Sequence, residues 1–272
     1  MKKINYLYLI LFAFIYSCDT QVSEIEQIGN LDSDDANNSR IVQSNEINIY
    51  SRFRTPENYN RIKSDNKFGN FLSQLNLKTI QTKVKNYDGT EKPNTEAYEA
   101  IIDLPNPTKN VQYNSNAILR LRAEYLFQNR LFDKINFNIG EKHQTYLEYS
   151  KGDFSYRSFM DYIEYFLSKT NSTSIVNELE RINWNNMEIG DIIFHNNSFK
   201  SHAVIVVDMA KNFKGEKIFM LAQSYYPSQE IHILSNPNDP KISPWYEHKS
   251  DTILTPEWRF FTNDLMRFTK AY

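Results

Sequence analysis

The spacing of apolar residues changes once along this chain, near residue 190, and that switch restricts the fold more than any other feature. Before it, apolar positions recur at helical intervals. Phe68, Phe71, Leu72 and Leu75 follow a Ser64-Asp65 cap. Ile118, Leu121, Tyr125 and Leu126 lie in a segment opened by Asn114-Ser115 and running over residues 114–130. Tyr156, Phe159, Met160, Ile163, Phe166 and Leu167 share one face of a helix after Asp153, and Ile175, Val176, Leu179 and Ile182 predict another over residues 172–182. After the switch, residues 191–194, 203–207, 218–222 and 231–234 are short, β-branched-rich runs between polar loops. Such runs read as neighbouring strands of an antiparallel sheet buried on both faces. Helices first and sheet second predict an α+β fold, with helices packed on an antiparallel sheet. Two smaller expectations precede the switch: a hairpin pairing 84–87 with 98–104 across Asp88-Gly89, and a short strand over 135–139.

The N-terminus carries a different kind of signal. Lys2 and Lys3 precede an almost wholly apolar run over residues 6–16, which ends in Ile15-Tyr16-Ser17-Cys18. A membrane span needs about 20 apolar residues, so this run reads as a secretory leader covering residues 1–17. Cysteine directly after a small residue resembles a bacterial lipobox. That resemblance implies that the leader is removed and the Cys18 thiol acylated; the alternative is an ordinary leader with an unrelated cysteine. The expected location is the cell envelope, with an exported domain lipid-anchored to the outer membrane and the lipid bilayer as its partner. Cys18 is the single cysteine, so the mature protein is expected to have neither a disulfide nor a catalytic thiol. Residues 18–48 are polar and acidic, with Arg40 as their one basic residue, and are expected to form a disordered tether spanning ~30 Å. Residues 49–272 are expected to form a single domain, with 49–112 as an N-terminal lobe and 113–272 as the core.

Charge and motifs exclude several functions. Without Lys2 and Lys3 the chain has 29 basic against 33 acidic residues, and no basic tract marks a nucleic-acid partner. No two of the seven glycines lie close enough for a phosphate-cradling loop, and neither His-Glu-x-x-His nor Gly-x-Ser-x-Gly occurs. Ser64-Asp65-Asn66-Lys67 matches Ser-x-x-Lys without its companion motifs and reads as a helix cap. His195, His202 and His232 lack a clear cysteine or carboxylate partner, so no metal or cofactor is expected.

One constellation carries chemistry. His202 opens the 203–207 run, and the next run returns after a loop centred near Phe213. A turn centred there sets His202 opposite Ser224, with Gln223 beside it. Gln223 or Ser224 would then bond an imidazole nitrogen and fix its tautomer, as a general base requires. Upstream, Gly190-Asp191 opens a strand, and Ser155 starts the 156–167 helix. This order resembles the papain-like superfamily of cell-wall amidases and peptidases. The resemblance implies a nucleophile at a helix start, Gly-Asp opening the first strand, histidine on the second and a polar orienting residue on the third. It assigns His202 as base, Gln223 as its orienting partner and Ser155 as nucleophile, since the cysteine of those enzymes is absent.

A second resemblance covers residues 52–268. It rests on Arg120-Leu121-Arg122-Ala123-Glu124-Tyr125-Leu126, Ile189-Gly190-Asp191-Ile192-Ile193-Phe194, His202-Ala203-Val204-Ile205-Val206-Val207-Asp208 and Leu221-Ala222-Gln223-Ser224-Tyr225. Glu230-Ile231-His232-Ile233-Leu234, Ser243-Pro244-Trp245-Tyr246 and Thr255-Pro256-Glu257-Trp258 extend it. Together they resemble a family of Bacteroidetes lipoproteins with a domain of unknown function (4846), which implies location and architecture rather than a reaction. Asp191, Ser224 and Tyr225 are the candidate binding positions. Two readings remain open: a papain-like-fold module that binds envelope material without cysteine catalysis, and a hydrolase acting on peptidoglycan peptides with His202 as base. In either, the ligand is peptidoglycan or another glycan, for which the abundant Tyr, Phe and Trp supply stacking surfaces.

Overall fold

The computed structural model describes residues 41–137, 144–171, 174–197 and 200–270. Its helices are α1 (Ile49–Arg52), α2 (Lys67–Ser73), α3 (Ser115–Gln128), α4 (Tyr146–Ser150) and α5 (Tyr156–Leu167). Its strands are β1 (Tyr59–Arg61), β2 (Tyr98–Ile101), β3 (Leu179–Arg181), β4 (Ile192–Asn196), β5 (Ser201–Asn212), β6 (Lys217–Gln223) and β7 (His232–Leu234), followed by β8 (Tyr246–Glu247), β9 (Thr252–Leu254), β10 (Arg259–Phe261) and β11 (Leu265–Phe268). The fold is α+β. The main sheet runs β2-β7-β6-β5-β4-β11-β3, with β1 on the end of β5 and β8 on β6, while β9 and β10 form a separate hairpin. All pairs are antiparallel.

Strand β5 is the axis of the sheet. It is buried continuously from His202 to Ala210, because β4 and β6 flank its edges and helices α2 and α3 pack against it. A strand covered on both faces has no polar face to alternate, which explains the unbroken apolar run in its sequence. Gly190 fixes where β4 begins. Its φ of +100° is a conformation that side chains rarely adopt, and an added Cβ would stand 3.3 Å from the Phe68 ring of α2. In this pose its amide donates to the Val206 carbonyl at 2.8 Å.

Helix α3 is the most enclosed element, with every residue from Ser115 to Leu126 buried. That includes Arg120 and Glu124, one helical turn apart and both fully buried. Arg120 donates from Nε and Nη2 to Glu124 Oε1 at 2.8 and 2.5 Å, and from Nη1 to Gln112 Oε1 at 3.2 Å. The Tyr156 hydroxyl of α5 donates to the same carboxylate oxygen at 2.7 Å. Burial and the neighbouring Glu124 both push the Tyr156 phenol well above its ordinary pKa. The pair thereby ties α3 to α5 and to the loop preceding α3.

Several expectations need correction. The predicted helix over 172–182 is, in its described part, a 3₁₀ turn (Val176–Glu178) leading into β3. There the apolar residues at 175, 179 and 182 serve a turn and an edge strand instead of a helix face. Residues 84–87 do not pair with 98–104. Lys85 bridges Glu91 and Asn86 bridges Gln229, while β2 pairs with β7. Residues 135–137 form no strand, and 138–139 lie outside the described residues. Helix α2 is capped by Asn66, whose side chain accepts from the Gly69 amide, and ends at Ser73. At the C-terminal end β11, which carried no clear sequence signal, inserts between β4 and β3.

Removing one member of a buried ion pair strands its partner's charge at a cost of about 3–5 kcal/mol. Glu124→Ala is therefore expected to lower the unfolding free energy by about that amount, read from urea denaturation. A loss below about 1 kcal/mol would mean that the pair contributes no such constraint.

Candidate functional site

The hairpin register decides what His202 meets. Ile205 pairs with Ala222 and Val206 with Leu221, whereas beyond a bulge at Val207 the pairing becomes Asp208 with Met220 and Lys211 with Lys217. The turn lies further along the chain than Phe213, around Gly215 with φ +83°, and the bulge adds a residue to β5. Shifting register by one residue exchanges the faces of a strand. Gln223, two positions along the same face, therefore meets His202, and Ser224 does not.

Three elements converge on the ring of His202, which is fully buried. Nε2 lies 2.7 Å from Gln223 Oε1 at the end of β6, and Nδ1 lies 2.7 Å from Asn114 Oδ1 at the start of α3. Tyr225, Trp258 and Phe260 surround the ring, with centroids 5.0–5.7 Å away. Behind Gln223 stands a second layer. Gln223 Nε2 donates to Glu257 Oε2 at 2.7 Å and faces His232 Nε2 at 3.3 Å, and Glu257 Oε1 pairs with buried Lys92 at 2.5 Å.

This network fixes proton positions. His232 Nδ1 sits 2.8 Å from the Glu230 carbonyl, so Nδ1 carries the proton and Nε2 is a bare acceptor. Gln223 must then turn its amide nitrogen toward His232 and the Glu257 carboxylate, leaving Oε1 to accept from His202 Nε2–H. Burial lowers the His202 pKa to about 4, with the Gln223 contact opposing and Lys92 reinforcing that shift. The ring is neutral at pH 7, and its lone pair is on Nδ1, aimed at Asn114. Asn114 turns Oδ1 to the ring and its amide nitrogen to the Ser201 carbonyl at 3.0 Å. A neutral ring with its lone pair on Nδ1 requires the flipped carboxamide, which offers that lone pair a donor.

The other sequence candidates are distributed more widely. Ser155 caps α5 from an exposed position: its hydroxyl accepts from Ser158 N at 3.2 Å and its own amide donates to Asp153 at 2.9 Å. The contacts of His202 are with Asn114, Gln223 and the surrounding rings, and Ser155 is not among them. The residue at a helix start facing the imidazole is Asn114. Ser224 lies between the carbonyls of Gln112 and Gln229, at 2.5 and 2.7 Å, and holds the loop before α3. Tyr225 joins the cluster through its ring and lies under Lys92. Asp191, at the opposite end of β4, makes a two-pronged pair with Arg267 at 2.7 and 2.9 Å. Burial raises its pKa and Arg267 opposes the shift.

The three histidines do not converge. Gln223 separates His202 from His232, and His195 turns to Asp264 at 3.0 Å. Asn114, Lys92 and Glu257 have no sequence signature as site residues. Asn114 sits at a recognised helix start, and Glu257 lies in one of the quoted family segments. Cys18 lies outside the described residues.

The candidate site of this α+β domain is thus a buried, tautomer-set histidine between a helix start and two sheet strands, with an amide facing it. The chain belongs to the family described as a domain of unknown function (4846), which it matches over residues 49–154 and 141–267. No curated protein and no solved structure matches it.

The depressed His202 pKa has a definite sign. Between about pH 4 and 6.5 the unfolded chain binds a proton at this residue that the folded chain refuses, so stability rises with pH across that window and levels above it. His232, lowered to about 3 by burial and Lys92, acts in the same direction. His202→Gln is expected to flatten part of the climb in urea midpoints between pH 4 and 6.5. Nitrogen-15 spectra at pH 7 are expected to show a neutral Nε2–H ring. An unchanged climb together with a charged ring would refute the assignment.

Proposed function

We propose that this protein is a cell-envelope lipoprotein whose papain-like-fold domain binds peptidoglycan or related glycan material without cysteine catalysis. The observation that carries the reading is the Asn114–His202 contact at 2.7 Å. A hydrolase of this plan needs a nucleophile there, and a carboxamide is none. Around that contact, Tyr113 and Tyr226 meet edge to face at 5.5 Å, and Tyr226 is 63% exposed. Half-buried Trp258 adjoins His202. Aromatic rings with polar neighbours suit sugar and peptide ligands. In this reading acylated Cys18 anchors the chain to the outer membrane through the acidic tether.

One observation favours the alternative, a peptidoglycan amidase or peptidase with His202 as base. Gln223, held in turn by Glu257, fixes the imidazole tautomer as a general base requires, with the Nδ1 lone pair turned toward Asn114.

Two measurements test the proposal. Metabolic labelling with a fatty-acid probe is expected to mark the wild type and not Cys18→Ala; equal labelling would remove the anchor. Incubated with purified peptidoglycan sacculi, the full chain is expected to co-sediment and release no new soluble peptides. Release of cleaved peptides that stops in His202→Ala would establish the hydrolase instead. Absence of both sedimentation and release would sink both readings.

A further inference from the structure

A cavity lies at the other end of the β5–β6 hairpin, and neither His202 nor its partners line it. It measures about 510 Å³, within the range of small-ligand sites. The β5 residues paired with its lining, Met209 to Asn212, stand seven to ten positions from His202, roughly 23–33 Å of strand. Its wall is the half-buried indole of Trp184, which meets Phe219 edge-on at 5.8 Å and His248 at 4.4 Å between ring centres. Tyr59, Lys217 and Glu247 complete the working lining.

The charged groups here are already engaged. Lys217 Nζ donates to the carbonyls of Asn185 and Met187 at 2.9 and 3.2 Å, which pins the turn carrying Trp184. Lys249 pairs with Glu247, and Glu216 accepts from Asn212 Nδ2 at 2.6 Å. Lys217 spends two of its three donors on carbonyls, and the carboxylates of Glu216 and Glu247 in the same lining would repel a phosphate or carboxylate ligand. Each group nevertheless keeps spare hydrogen-bonding capacity, since an ammonium has three donors and a carboxylate about four acceptor sites. Burial lowers the His248 pKa, so at neutral pH that ring offers one donor and one acceptor. A long acyl chain would be poorly served by so polar a rim. The ligand that fits is uncharged, flat on one face and rich in hydroxyl or amide groups.

We propose that this cavity binds a sugar ring of a glycan, stacked by its apolar C–H face on Trp184 and hydrogen-bonded at its edge by Lys217, Glu247 and His248. The proposal rests on the cavity alone and is independent of the reading of the His202 end.

Calorimetric titration of the full chain with chitotetraose, a neutral N-acetylglucosamine oligomer, tests it. The wild type is expected to bind. Trp184→Ala is expected to bind roughly tenfold more weakly or not at all, as loss of one aromatic contact of ~1.4 kcal/mol implies. A urea melt establishes that this variant is folded. Should it be unfolded, exposed His248→Ala takes its place, with weakened binding again expected. Inorganic phosphate is expected to give no heat of binding. Three outcomes overturn the proposal: no binding of chitotetraose, binding unchanged in the folded variant, or binding of phosphate in its place. Absence of chitotetraose binding by the wild type, with its sacculus sedimentation intact, would remove this site and leave the His202 reading standing.

Discussion

The arrangement depends on a charge pair that water cannot reach. Arg120 and Glu124 are each fully buried in α3, and a guanidinium in such a place must be satisfied by its surroundings. One arm reaches Gln112, whose own amide and carbonyl engage Ser228 and Ser224. Two residues later the Asn114 amide donates to the Ser224 carbonyl at 3.1 Å. The need to pair one buried cation thus fixes the path of the loop that delivers Asn114 to His202. The same carboxylate takes the Tyr156 hydroxyl and so fixes α5 against α3.

A second constraint is the bulge at Val207. Without it, the β5–β6 register would turn Ser224 toward His202 and Gln223 away, because strand faces alternate residue by residue. Ser224 would then leave the loop before α3 without its anchor. With the bulge, Gln223 carries the orientation imposed by Glu257 and His232 through to the His202 ring. Deep burial keeps that ring neutral, and the surrounding amides choose which nitrogen holds its proton. The outcome is an imidazole with the electronic set-up of a base, facing a side chain that has no proton-linked nucleophile to offer.

The strongly periodic segments were legible because burial imposes its own spacing on them. Helix α5 matches its expected span, β5 and β6 contain their expected runs, and β4 and β7 begin one residue later than expected. The 172–182 segment misled because a few apolar residues at intervals of three or four also suit a turn beside an edge strand. Strands β8 to β11 are two to four residues long, too short for alternation to separate them from loop, and pairing alone makes them strands. At the site, His202 and Gln223 could be singled out from the strand ends on which they lie. Lys92 and Glu257 could not, since 165 residues separate them in sequence and only the fold makes them an ion pair.

The sequence by itself determined the α+β class, the central hairpin and the placing of a histidine at the start of a buried strand. Those features follow from local periodicity and from which side chains water rejects. Only the tertiary structure decided that Asn114, and not Ser155, stands before that histidine. Both residues begin a well-formed helix, so the local signal is the same for each. What separates them is the packing of α3 against β5 under the constraint of a buried ion pair, together with a single-residue bulge that sets the hairpin register. These are long-range effects of burial and hydrogen-bond satisfaction, and a chain read residue by residue carries no mark of them.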